Sequence, residues 1–320
     1  MVAKLTDVAK RAGVSPTTVS RVINRKGYLS EKTIHKVEEA MQELGYKPNN
    51  LARSLQGKSS RFIGLIFPNV SNIFYAELIN SLEIRLFEQG YKAILCNSEK
   101  NPSKEREYLQ MLDANQVDGI ISGSHNLGIE DYRKVDAPII SFDRNLAPDI
   151  PIVSSDNFEG GRLAAKTLRH AGVKHPIIIS GRDDSGSPTK RRGEGFRDVL
   201  PETKIIHIPG DYSPIRKKME LQMALRKEKP DGLFASDDTT ALLAMQIIDQ
   251  AGFTVPDDIK IIGYDGTAMV TTYFPRLTTI QQPIAEIAQV LVEVLLKKIN
   301  HEPVDAEYIL PVSLLPGKSI

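Results

Sequence analysis

The sequence predicts a small all-α helix-turn-helix head at residues 1–48, a short hinge helix and linker at 49–60, and an α/β body at 61–320 built as two lobes with parallel sheets. Three observations predict it. A Gly-x-Ser turn joins two short amphipathic helices near the start. From Arg61 onward, short apolar runs alternate with amphipathic helical ones, the rhythm of parallel strands covered on both faces. That rhythm restarts after PIVSSD, so two α/β units follow one another and a cleft between them is expected at the strands' carboxyl ends.

In the head, Leu5, Val8, Ala9 and Ala12 recur at helical spacing, with Thr6 available to start the helix and Gly13 to stop it. Gly13 suits a left-handed turn, Ser15 a cap, and Pro16 a first helical position. The helix that follows turns Val19, Val22 and Ile23 inward and leaves Thr17, Thr18, Ser20, Arg21 and Asn24 outward. A third helix runs from Glu31, capped by Ser30, to Leu44, with Ile34, Val37, Met41 and Leu44 facing the same core.

Residues 52–59, ARSLQGKS, differ by one letter from the phosphate-binding pattern G-x-x-x-x-G-K-[ST]. Such a loop needs a strand before it and a helix after it. Here LGYKPNN precedes and the strand-like RFIGLIF follows, so the order is reversed and an NTPase is not supported. The stretch reads instead as a short helix capped by Asn49, with Leu51 and Leu55 on one face flanked by Ala52 and Arg53, and with Gly57 as its stop. A helix that short is unstable alone.

In the body, RFIGLIF, YKAILC, DGIIS and APIISF are the strands of the first unit, and HPIIIS, TKIIHI, DGLFAS and IKIIGY those of the second. Helical runs such as FYAELINSLEIRLFEQG, KEREYLQMLDANQ, NFEGGRLAAKTLRHAG, EGFRDVL and DTTALLAMQIIDQAG lie between them.

Charge divides along the same boundary. Residues 1–60 carry 11 Lys and Arg against 5 Asp and Glu, whereas the remainder carries 30 against 35. A basic head on an acidic body suits a polyanionic partner for the head alone. The single cysteine, Cys96, sits in a strand-like run and reads as a buried apolar residue. No apolar run is long enough to span a bilayer and the first residues lack a secretory core, so a cytoplasmic protein is expected. No metal, cofactor or catalytic assembly is assigned.

The run LTDVAKRAGVSPTTVSRVIN resembles the DNA-binding head of the LacI/GalR family of bacterial regulators. The likeness continues through the body in IGLIFPNVSNIFYAEL, SFDRN, DNFEGGRLAA, SDDTTALLAM, IIGYDG and PRLTTIQQP, which are similar to that family's periplasmic-binding-protein-like effector domain. The resemblance implies a homodimeric repressor that binds operator DNA and responds to a small molecule between its lobes.

On the same resemblance, Pro16, Thr17 and Arg21 face base edges, where a guanidinium can bond guanine O6 and N7 together. Ser15, Thr18, Arg25 and Lys26 suit phosphate contacts, and Asn24, Asn49, Ala52 and Leu55 complete the DNA-facing set, Leu55 as a minor-groove wedge. The implied effector residues are Phe74, Tyr75, Asp143, Arg144, Arg192, Asp237, Asp265 and Gln282. Their chemistry fits a polyol, because carboxylates accept from vicinal hydroxyls and arginine donates in a fixed fork. Sucrose, sucrose 6-phosphate or fructose is the expected effector, with Arg144, Lys190 and Arg192 available to a phosphate. The family usually has asparagine where Asp237 stands. A sugar-binding protein with glycoside hydrolase activity is the alternative, and it would require two carboxylates flanking one bond.

Overall fold

The computed structural model describes residues 3–23, 27–46, 59–99, 101–124, 126, 129–181, 187–210 and 212–320. Its contacts divide the chain into two compact units, Met1–Ser60 and Arg61–Ile320.

In the first unit, α1 (Leu5–Ala12), α2 (Pro16–Ile23) and α3 (Glu31–Glu43) share one small core. α1 begins one residue before Thr6, and Lys4 is its cap. Asp7, three residues on, turns back to accept the Lys4 N–H at 2.8 Å, so the start signal is the aspartate and not the threonine. Gly13 adopts φ +66° and the Val14 N–H bonds Ala9 O at 3.0 Å, closing the helix in a left-handed turn. Ser15 Oγ then accepts the Thr18 N–H at 3.1 Å and starts α2. Val8, Ala9, Ala12, Val19, Val22, Val37 and Ala40 fill the core. Leu44, expected inward, is 36% exposed, because α3 ends at Glu43 and Leu44 serves as its cap.

The second unit holds two six-stranded sheets. The first lobe contains β1 (Phe62–Phe67), α4 (Ile73–Glu88), β2 (Lys92–Asn97), α5 (Pro102–Ala114), β3 (Gly119–Ser122), α6 (Ile129–Arg133), β4 (Ile139–Phe142) and β5 (Ile152–Ser155). The second contains α7 (Asn157–His170), β6 (Pro176–Ser180), α8 (Pro188–Val199), β7 (Lys204–His207), α9 (Pro214–Glu228), β8 (Gly232–Ala235), α10 (Asp238–Gln250), β9 (Lys260–Asp265), α11 (Ala268–Tyr273) and β10 (Thr278–Gln281). The chain then returns: α12 (Ile284–Ile299) packs into the first lobe's core beside Leu65, Leu78 and Leu82, and β11 (Glu307–Leu310) pairs with β5. Finally β12 (Ser313–Leu315) pairs with β10 in the second lobe.

The sheet orders are β11-β5-β4-β3-β1-β2 and β12-β10-β9-β8-β6-β7. Each reverses direction between its first and third strands, β1/β3 and β6/β8, and a crevice opens at such a switch point. The inner strand FIGLIF of β1 is buried on both faces, since helices cover both sides, whereas the edge strand β2 buries Cys96 but exposes Leu95.

Candidate functional site

A cavity of about 600 Å³ lies between the lobes at the carboxyl ends of their strands. Its first-lobe wall begins with the loop after β1. Asn72 Oδ1 accepts the N–H groups of Phe74 at 2.9 Å and Tyr75 at 3.2 Å, which caps α4 and fixes both aromatic residues on its first turn. Phe74 stacks on Phe142 at 5.8 Å between centroids, and Tyr75 lies tilted 5.8 Å from Phe67, so the wall is braced from behind. Asp143 and Arg144 follow β4 and line the same wall. Asp143 has φ +63°, a backbone state that side chains other than glycine rarely take.

The second-lobe wall holds Arg192 on α8, Asp237 before α10 and Asp265 at the end of β9. α8 reaches this place because it meets α7 backbone to backbone. A methyl group on Gly161 would sit 1.9 Å from Arg192 O, and one on Gly195 would sit 1.9 Å from Phe158 O. Arg192 is 5% exposed, its guanidinium lies 3.7 Å above the Tyr264 ring, and Nη1 donates to Ser236 O at 2.6 Å. Asp265, at φ +118°, stands 3.8 Å from Arg192 Nη1 and accepts from Gln282 Nε2 at 2.8 Å. Asp237 caps α10: its oxygens accept the Thr240 N–H and Thr240 Oγ1, each at 2.8 Å, and also Thr239 Oγ1.

One buried cation therefore faces several carboxylates. Burial pushes Asp143 up to about 6, opposed by Arg192, the Asn157 hydrogen bond and Arg144. Asp265 is raised well above the usual carboxylate range, first by burial and then by Asp238 and Asp237, with Arg192 pulling the other way. Burial alone would lower Arg192, but Tyr264, Asp265, Asp143 and Asp237 outweigh it and the guanidinium stays charged. Behind the wall, Asp238 accepts from Thr279 Oγ1 at 2.6 Å and from the Gly266 N–H at 2.8 Å. These bonds hold the turn that follows Asp265.

All eight residues expected from the sequence to meet an effector, Phe74, Tyr75, Asp143, Arg144, Arg192, Asp237, Asp265 and Gln282, line this one cavity. Lys190, expected as a cation there, is not among its lining residues, because α8 turns it away from the face that presents Arg192. Lys217 of α9 lines the cavity instead. Sequence reasoning also missed Asn69, Asn72, Ser236 and the supporting Asn157 and Tyr264. Asn157 and Tyr264 sit inside the quoted runs DNFEGG and IIGYDG, where their position at an element end was the available signal.

In the head, Ser15, Pro16, Thr17 and Arg21 are exposed and Thr18 is partly so, all on or just before α2. Ser15 and Thr18 share a hydroxyl contact at 2.9 Å. Asn24, Arg25, Lys26, Asn49, Ala52 and Leu55, and with them the expected hinge helix, lie outside the described residues.

Residues 4–49 match the bacterial regulatory proteins of the lacI family, and residues 60–314 match the periplasmic binding proteins and sugar binding domain of the LacI family. The chain belongs to the LacI family. It is 68% identical to the sucrose operon repressor of Streptococcus mutans over the whole of both chains. It is 51% identical to the sucrose operon repressor of Lactococcus lactis, covering 98% of this chain and 99% of that one. Among solved structures it resembles the lac repressor dimer bound to operator and the anti-inducer ONPF, with a TM-score of 0.85, 28% identity, and 100% and 99% of the two chains covered.

Proposed function

We propose that this protein is a sugar-responsive transcriptional repressor in which Ser15, Pro16, Thr17, Thr18, Arg21 and Asn24 of the head, at residues 1–48, meet an operator. On this reading a hinge helix and linker at 49–60, through Asn49, Ala52 and Leu55, carries the signal from the body at 61–320. The interlobe cavity takes the effector, and two copies of the chain act as a homodimer. The observation that carries the reading is the pairing of a helix-turn-helix with a polar interlobe cavity in which one buried guanidinium and two positive-φ aspartates converge.

The cavity chemistry favours a polyol. Aspartates accept from vicinal hydroxyls, Arg192 and Gln282 donate, and Phe74 and Tyr75 supply an apolar face for a sugar ring. The relatives named sucrose operon repressors support sucrose, sucrose 6-phosphate or fructose as the effector. Arg144 and Lys217 are the cations that would receive a phosphate, in place of Lys190. Asp237 stands where asparagine is usual, but three donors of its own helix start already engage its carboxylate, so it behaves as a directed acceptor. A glycoside hydrolase is not favoured: the similar proteins are repressors, and both cavity-edge acids with raised pKa are held by amides, Asp143 by Asn157 and Asp265 by Gln282.

Ligand and operator bind different conformations on this reading, so each weakens the other by the same factor, about 1–3 kcal/mol. The test is operator binding by the purified protein with sucrose, sucrose 6-phosphate, fructose and fructose phosphates added in turn. One of them shifts operator affinity about tenfold or more if the reading holds. Unchanged operator affinity with all of them would overturn it.

A further inference from the structure

Asn157 does not line the cavity, is 7% exposed, and is the first residue of α7, directly after the chain passes from the first lobe to the second. Its Nδ2 donates to Asp143 Oδ1 at 2.8 Å and to Ser155 O at 3.1 Å, while its Oδ1 accepts from Arg192 Nε at 2.8 Å. The three partners have no choice of role. A carboxylate oxygen and a peptide carbonyl accept and a guanidinium N–H donates, so the amide has a single orientation. Asp143 belongs to the first lobe and Arg192 to the second, and one side chain at the crossover bonds both. The next crossover repeats the device, with Ser155 Oγ donating to Gln282 Oε1 at 2.7 Å and Gln282 Nε2 donating to Asp265.

We propose that Asn157 is a positioning residue for the interlobe cavity, holding the first-lobe carboxylate of Asp143 and the second-lobe guanidinium of Arg192 in one relative aim so that an effector meets both together. The proposal rests on the reading of the cavity as a sugar site.

The charged and titratable groups that interact with Asp143 are Arg192 from α8, Tyr264 from β9, Tyr75 from α4 and Arg144 beside it, and Asp265 of β9 lines the same cavity. Besides them, Asn157 supplies a hydrogen bond that favours the ionised carboxylate. Asn157→Ala removes that bond, and Asp143 then titrates higher. Asn157→Asp keeps the shape and the Arg192 contact but sets a carboxylate oxygen against Asp143 Oδ1 and Ser155 O. That repulsion is relieved when the two carboxylates share a proton, so this variant alone regains affinity on acidification.

The test uses the full chain. The Asp143 carboxyl carbon is followed by NMR in wild type, Asn157→Ala and Asn157→Asp from about pH 5 to about pH 8, and each protein is titrated calorimetrically with sucrose, sucrose 6-phosphate and fructose across the same range. We expect Asp143 to titrate higher in the alanine variant. Its sugar affinity falls about tenfold at the alkaline end, the cost of a hydrogen bond to a charged group, and by more where Asp143 is protonated in the variant but still ionised in wild type. The aspartate variant loses more at the alkaline end and recovers toward the acid end. Where the alanine variant does not fold, Asn157→Ser replaces it, since a serine hydroxyl is too short to span both partners. The proposal is overturned if Asp143 titrates and sugar binds in the variants as in wild type. Should Asp143 move as expected while none of the three sugars binds wild type, the sugar reading fails and the positioning of Asp143 by Asn157 stands.

Discussion

The first-lobe strand order β5-β4-β3-β1-β2 recurs in the second as β10-β9-β8-β6-β7, so β4 and β9 hold the same place, and each delivers an aspartate with positive φ to the cavity. At that position the lobes agree. They differ at the helix following the first strand of each unit, where the first lobe presents Phe74 and Tyr75 and the second presents Arg192. The supports differ as well. α4 rests on α12 through large side chains, whereas α8 meets α7 through Gly161 and Gly195. One scaffold used twice thus carries two kinds of surface: an aromatic face in one lobe opposite a guanidinium in the other. What the strands share is direction; what the helices carry is chemistry.

Removing the second lobe's cation should break this division most. Arg192→Ala strips the guanidinium from Asn157 Oδ1, Ser236 O and Asp265, leaving Asp265 only its Gln282 bond, and we expect a loss of about 3–5 kcal/mol in denaturant unfolding together with the disappearance of sugar binding by calorimetry. Next comes the support beneath it. Gly161→Ala drives a methyl group into Arg192 O, and thermal unfolding should register about 1–3 kcal/mol of destabilisation, with weakened sugar binding because α8 is displaced.

Asp143→Asn sharpens the comparison through pH. The Asp143 carboxyl titrates at 3.8 when unfolded and about 6 when folded, so the folded chain binds more protons between those values. Its contribution to stability is therefore lost as pH rises from about 4 to about 6 and is flat above. The asparagine variant should lack that slope and be more stable than wild type at about pH 8 by up to about 3 kcal/mol, while binding sugar less well. The smallest effect belongs to the aromatic wall. Tyr75→Leu keeps an apolar surface and should cost about 1 kcal/mol of sugar affinity in calorimetry, with little change in unfolding temperature.

The alternation of strands and helices was legible because each strand is a continuous apolar run and each helix an amphipathic one. The return of α12 and β11 to the first lobe was not legible. β11 is an edge strand of alternating exposure, and its partner β5 lies far back in the chain, so no local pattern reports the pairing. Most of the cavity residues could be named because they stand at strand ends or helix starts, where resemblance and chemistry coincide, and Arg192, inside α8, through the resemblance alone. Asn157 escaped because a polar residue at a first helical position has an ordinary local explanation, and only the meeting of two lobes reveals what it bonds. Lys190 was misjudged for a related reason: two positions along a helix from Arg192, it lies on a different face.

Three connectors join the lobes, and they are tied to one another: the Asp156 N–H bonds Leu310 O at 2.8 Å, and Ser155 bonds Gln282. Such a strap gathers every link to one flank of each sheet, beside β5, β11, β10 and β12. Were the lobes to turn about it, displacement would grow with distance from it. The far edges formed by β2 and β7 would then sweep the widest arc, and a small adjustment near the cavity would be amplified where the lever is longest.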